Sequence, residues 1–306
     1  MLLALTTSLL LQASPSPAAV APPASTAPIG YRLVVASPMA TTVHVEIDLP
    51  DLPPPQVLVI PRAVPMGYGE EPYDRFVSNV KAFAADGKPL DVARGEGPRF
   101  VMTGAGPVRR VAYDVDVARM EREVLSASDS SKKRPGYLGL LGYSIFGTMD
   151  GLEDRPVTLR VRAPNGWPVF STLSPSQPRI RKFTSGSAPS YYALADSQLA
   201  MGPALRVRRL VGTPILFVVA YVEDDFDIDS FARLSREALD ATVDYFACVP
   251  FPHYSVLVEA VKPVSKDHQY GFSMEHLDST SMTFASDKVP TAASTERENE
   301  GFLFNL

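Results

Sequence analysis

The chain has 306 residues, 45% apolar and 21% charged, with a formal net charge of −5. That balance excludes a disordered polyelectrolyte, and the length allows two domains with a sizeable core. Nucleic acid is not an expected partner. The basic runs Ser131-Lys132-Lys133-Arg134 and Arg206-Val207-Arg208-Arg209 are short, and both read as solvated loop or strand-edge charges.

Residues 1–30 read as a signal peptide followed by a Pro/Ala-rich linker. Met1 to Leu11 is apolar and too short to span a bilayer, and small residues and prolines follow it. No Lys or Arg precedes the apolar run, so a tail with a chance apolar start is the alternative. The order favours export, to a secreted or periplasmic location. No later run is long and apolar enough for a transmembrane segment.

Residues 31–210 read as a β-sandwich domain. Tyr31–Val35 and Thr42–Leu49 alternate apolar with polar, the period of a half-buried strand. Gln56–Ile60, Phe76–Phe83, Arg99–Thr103, Val108–Val117 and Val157–Ala163 continue the series. Asp86-Gly87 marks a hairpin, and Pro164-Asn165-Gly166-Trp167 marks a turn. The irregular stretch between Arg119 and Met149 is expected to cross over the sheet. The 29 prolines suit many short strands joined by turns. His44, on a strand, reads as structural rather than as a ligand.

Residues 211–306 change character. Thr213–Val222 is a continuous apolar run, as in a central strand covered on both faces. A helix follows, capped by Asp229 or Ser230, with apolar residues at Phe231, Leu234, Ala238, Leu239, Val243 and Phe246 and a stop at Pro250 and Pro252. Cys248, the one cysteine, leaves no intrachain disulfide and reads as a buried small hydrophobe. The strand Tyr254–Ala260 leads to Gly271–Thr280, where a carboxylate, an imidazole and two hydroxyls follow a glycine. From Thr291 to Leu306 the pattern is that of a helix just begun, as in the first part of a longer protein.

Four stretches together carry a resemblance: Tyr31-Arg32-Leu33 with His44-Val45-Glu46; Pro61–Tyr68 with Asp86–Leu90; Pro164–Trp167 with Leu194-Ala195-Asp196-Ser197 through Gly202; and Gly271–Thr280. From about Tyr31 onward the chain resembles the N-terminal portion of the glycyl aminopeptidases, zinc metallopeptidases of the thermolysin-like (gluzincin) superfamily. The resemblance implies a mainly β fold, with an N-terminal β-sandwich followed by the first α/β part of a thermolysin-like catalytic domain that stops before the zinc helix.

It also implies a zinc cofactor in the complete family fold, held by a His-Glu-x-x-His motif and a further glutamate. The four histidines His44, His253, His268 and His276 do not have that spacing, so neither metal ligands nor catalytic residues are expected in this chain. What the resemblance leaves here is a substrate wall of Gly271, Met274, Glu275 and His276. Glu275 would meet the ammonium of a peptide with a free N-terminus, and the Gly271 strand would pair with the peptide backbone. His276 would orient Glu275 or touch substrate, and Ser279 and Thr280 would satisfy local backbone groups. Phe272 and Ser273 stand where the family prefers glycine, Met66 breaks its Pro-Gly pair, and Gln198 replaces its proline after Asp-Ser. A non-catalytic, secreted β-sandwich peptide-binding protein is the alternative. The two differ in whether a zinc motif lies downstream.

Overall fold

The computed structural model describes residues 27–52, 56–62, 69–125, 130–173, 183–268 and 270–289. The expected signal segment lies almost wholly outside these residues. So do the tail from Thr291 and residues 63–68 of the Pro61–Tyr68 loop.

The described residues begin with seven strands: β1 (Ile29–Val34), β2 (Thr42–Leu52), β3 (Gln56–Val59), β4 (Val77–Ala84), β5 (Pro89–Arg94), β6 (Arg99–Thr103) and β7 (Val108–Asp116). Then come α1 (Val117–Glu123), β8 (Lys132–Arg134), β9 (Tyr137–Leu141), α2 (Gly142–Ile145) and β10 (Thr148–Met149). After β11 (Val157–Arg162), β12 (Val169–Ser171) and β13 (Ser185–Ala188) come α3 (Tyr191–Ala195) and β14 (Gln198–Met201). The last part holds β15 (Arg206–Leu210), β16 (Ile215–Val222), α4 (Ile228–Phe246), β17 (His253–Val261), β18 (Gly271–Glu275) and β19 (Ser279–Ala285).

Among the described residues these strands form three sheets. A ten-stranded sheet runs β10-β3-β6-β5-β4-β7-β2-β1-β11-β13, a four-stranded sheet β12-β14-β9-β8, and a five-stranded sheet β15-β16-β17-β19-β18. The mainly β expectation holds. The Asp86-Gly87 hairpin forms, with Gly87 at φ +81° and Ala82 paired with Leu90. The Pro164–Trp167 turn closes through Trp167 N–H to the Pro164 carbonyl at 3.0 Å.

Side-chain alternation stacks the sheets in layers. In β1 and β11 every second residue is buried, so the ten-stranded sheet has one inward face. β9 is buried at all five positions. Its Leu138 and Leu140 join the core of the ten-stranded sheet with Leu33 and Val45, while Tyr137 joins Phe217, Val219 and Tyr221 of β16. The four-stranded sheet is therefore a middle layer. β16 repeats the pattern, because Leu216, Val218 and Ala220 turn the other way, onto Phe231 and Ala232 of α4. A strand covered on both faces reads as an unbroken apolar run, as β16 does.

Several expectations are corrected. The segment from Arg119 to Met149 is more than a crossover, since it supplies β8 and β9 to the middle sheet. The expected boundary between 210 and 211 falls between β15 and its hydrogen-bonded partner β16, which leaves the division into domains a proposal. Helix α4 is capped by Asp227, whose side chain accepts from the Asp229 and Ser230 backbone N–H groups, and not by Asp229 or Ser230. Its last turn emerges from the fold, so Phe246 is exposed and Cys248 just beyond it is exposed too.

The run around Lys132 is not a solvated loop. Lys132 is only 2% exposed, and its Nζ lies 2.8 Å from Glu259 Oε2 on β17. Tyr137 Oη donates to the other Glu259 oxygen at 2.8 Å. Arg134 sits between Glu121 at 2.5 Å and Glu223 at 3.3 Å. Burial pushes the Glu121 carboxyl above its ordinary range, and the Arg134 and Lys132 charges offset only part of that. These pairs tie the middle layer to the five-stranded sheet. By contrast, the Arg206–Arg209 run lies on the outermost strand β15, with Arg206 and Arg209 exposed, as expected.

Candidate functional site

Strand β18 is the outermost strand of the five-stranded sheet and is paired antiparallel with β19 from Gly271↔Phe284 to Glu275↔Thr280. An outermost strand keeps backbone N–H and C=O groups on its outer side, the feature a peptide strand can pair with. Gly271 begins it at φ +147°, a setting that L side chains rarely adopt. Beside this end of the strand runs a cavity of about 920 Å³, whose walls include Gly271, Phe272 and Tyr270 together with Arg75 and Glu123 of the first half.

Period-two alternation divides the four expected wall residues. Gly271 and Glu275 are exposed. Met274 is fully buried, and Tyr143 Oη on α2 lies 3.3 Å from its sulfur. The His276 side chain is also fully buried. The side chains of Met274 and His276 therefore lie inside the fold, away from the surface on which Gly271 and Glu275 are exposed.

His276 is held at both ring nitrogens. Nδ1 lies 3.0 Å from Asp196 Oδ1, and Nε2 lies 3.1 Å from Ser281 Oγ. The other Asp196 oxygen accepts the Leu277 backbone N–H at 2.7 Å. The Tyr143 ring stacks on the imidazole at 6.4 Å between centroids. The connecting turn is tight, with His276 N–H donating to the Ser279 carbonyl at 2.9 Å. Thr280 Oγ1 donates to the Met274 carbonyl at 3.0 Å, so Thr280 does satisfy local backbone. Ser279 does not, because its buried hydroxyl has no hydrogen-bond partner among the described residues.

The surroundings are acidic. Burial pushes the Asp278 carboxyl up, and nearby Asp196 adds to this, while His253 at 3.8 Å pulls the other way. The Tyr254 hydroxyl is pushed up to about 12, first by burial and then by the charges of Glu275 and Asp278. In the sequence Asp196 stands out only as part of the Leu194–Ser197 motif. No spacing rule ties residue 196 to residue 276, so its partnership with His276 emerges only from the fold.

The described residues do not fit a zinc centre. His44 engages Asp114 on the ten-stranded sheet, His268 bonds Ser265 and the Glu121 carbonyl, and His253 faces Asp278. Among the described residues, no three His, Cys, Asp or Glu side chains gather as metal ligands. No described helix is long and apolar enough to cross a membrane.

The family model described as the Peptidase M61 N-terminal domain matches residues 30–203. Among curated proteins none matches. Among solved structures, an aminopeptidase N family protein from Idiomarina loihiensis superposes with a TM-score of 0.76 at 18% identity, covering 90% of this chain and 45% of that one. A mutant M1 zinc metallopeptidase from Deinococcus radiodurans, bound to a Tyr-Ser-Ala substrate, gives a TM-score of 0.46 at 15% identity, covering 90% and 62%. The chain thus spans less than two thirds of either protein.

Proposed function

Because the chain belongs to the Peptidase M61 N-terminal domain family, we propose that it is the N-terminal part of an exported, zinc-dependent aminopeptidase. In this reading residues 31–210 form the sandwich domain, and residues 211–306 begin a thermolysin-like catalytic domain. The family supports a peptidase-like function. The aminopeptidase activity, the zinc, the export and the glycyl-aminopeptidase likeness are our reading. The metal-binding half would be supplied by sequence beyond residue 306, and this chain by itself would be inactive.

The observation that carries the reading is strand β18, outermost in its sheet, with Glu275 exposed at its end. A carboxylate there can accept charge-assisted hydrogen bonds from a free α-ammonium. The strand backbone can take the peptide as an added strand, so that amine recognition and backbone pairing together select N-termini. The cavity beside Gly271 and Phe272 gives space for the rest of the peptide.

The test compares zinc content and aminopeptidase activity for this chain and for the protein extended through the downstream reading frame. Stoichiometric zinc and N-terminal cleavage in the extended protein alone are expected, with Glu275→Ala raising KM at least about tenfold. Absence of zinc from both would leave the second reading, a secreted β-sandwich that binds peptides without cleaving them.

A further inference from the structure

The Asp196–His276–Ser281 line invites comparison with a nucleophilic triad. Its distances of 3.0 and 3.1 Å suit one. Access decides against it. The imidazole is fully buried, and the cavity beside Ser281 is about 20 Å³, room for a water but not for a substrate.

The line has another use. Asp196 follows α3 in the turn before β14, within the middle layer, whereas His276 and Leu277 follow β18 in the five-stranded sheet. One carboxylate binds the ring through Oδ1 and the next residue's backbone through Oδ2. Ser281 on β19 holds the far side of the ring, and Tyr143 covers its face. With the Nδ1–H tautomer, Asp196 accepts from the ring and the Ser281 hydroxyl donates to Nε2, so every polar atom of the line is satisfied. The residue immediately before this clamped pair is Glu275.

We propose that Asp196 is a positioning residue for the Glu275 wall: the middle layer reaches across the layer interface and fixes the backbone from which Glu275 projects. The proposal rests on the reading of Glu275 as the ammonium anchor. A carboxylate that must meet a small cation gains its selectivity from a fixed position, and a shift of about 1 Å can cost up to about 100-fold in a site of this kind. His276 serves the same purpose as a spacer between Asp196 and Ser281, which accounts for a histidine buried directly after an exposed glutamate.

The test is made on the whole chain with two probes, trialanine and N-acetyl-trialanine, titrated while backbone amides are followed by NMR. The readout is the ratio of the two affinities, because a general loss of folded protein weakens both probes alike and leaves the ratio unchanged. Asp196→Asn is expected to lower the free-amine preference about tenfold and to move the Leu277 amide resonance, and Glu275→Gln is expected to abolish the preference. A ratio that falls in Glu275→Gln but stays at the parent value in Asp196→Asn overturns the positioning role and leaves the Glu275 reading intact. A parent chain with no free-amine preference overturns the Glu275 reading, and this inference with it. Should Asp196→Asn not fold, Ser281→Ala removes only the far hydrogen bond to the ring, and an unchanged ratio there overturns the role.

Discussion

Glu259 is held in the layer interface by donors from three strands: Lys132 on β8, Tyr137 on β9 and Thr283 on β19. Removing the cation while leaving the carboxylate buried is the costly change, about 3–5 kcal/mol for such a pair. Lys132→Ala is therefore expected to lower the urea unfolding free energy by that amount, and a loss under about 1 kcal/mol would count against a structural role for the pair. Asp74 makes a second residue-scale prediction. Burial raises its pKa, but hydrogen bonds from Arg62 and Arg94 outweigh this and hold the carboxyl below its ordinary range. A depressed folded-state pKa adds stability above the unfolded value of about 3.9, and that stability is lost as pH falls toward the folded value. Asp74→Asn should thus be less stable than the parent at neutral pH, and the gap should narrow below about pH 4. A constant gap in unfolding free energy from pH 7 to pH 3 contradicts this. Neither partnership could be read in the sequence. Lys132 looked solvated because its run is basic and its partner lies 127 residues away, whereas the one-sided exposure of Gly271 and Glu275 follows from strand alternation alone.

At the scale of elements, local chemistry is well written in the chain and its exact ends are not. The α4 pattern of apolar residues was legible, yet the cap is Asp227, which sits between Phe226 and the first turn. Phe226 packs on Phe231 at 5.4 Å between ring centroids, a hydrophobic staple that fixes where the chain enters the helix. The staple was the missed signal, since it selects Asp227 over Asp229 and Ser230. Asp227→Ala is expected to cost about 1 kcal/mol in chemical unfolding, against no measurable change if either later residue can cap in its place. The exposure of Cys248 has the same origin: apolar neighbours in sequence predicted burial, but the helix end carrying Tyr245 and Phe246 projects from the fold. The β18–β19 hairpin was legible only as a cluster of reactive groups, because pairing register depends on the partner strand.

For the whole molecule, layering decides what can stand alone. The five-stranded sheet places Phe217, Val219, Tyr221 and Leu257 against Tyr137, Phe170 and Ala200 of the middle layer. Residues 211–306 expressed alone would expose that face and lack β15, so aggregation is expected. A monomer of that segment with a cooperative thermal transition would contradict the account. The same layering runs across the boundary expected between 210 and 211. The family match ends at 203, the sheet partnership of β15 begins at Arg206, and the expected change of character begins at 211. The resemblance to aminopeptidases was carried by motifs spread along the chain. Their meaning became spatial only when the Leu194–Ser197 motif and the Glu275-His276 motif met through Asp196.

The central claim is that β18 and Glu275 form a wall that recognises peptide N-termini. The most direct measurement is a map of backbone amide shifts across the chain on addition of trialanine. The account predicts shifts concentrated in residues 271–277 that disappear in Glu275→Gln and with the N-acetylated peptide. Shifts centred on another surface, or the same shifts with the acetylated peptide, would contradict it.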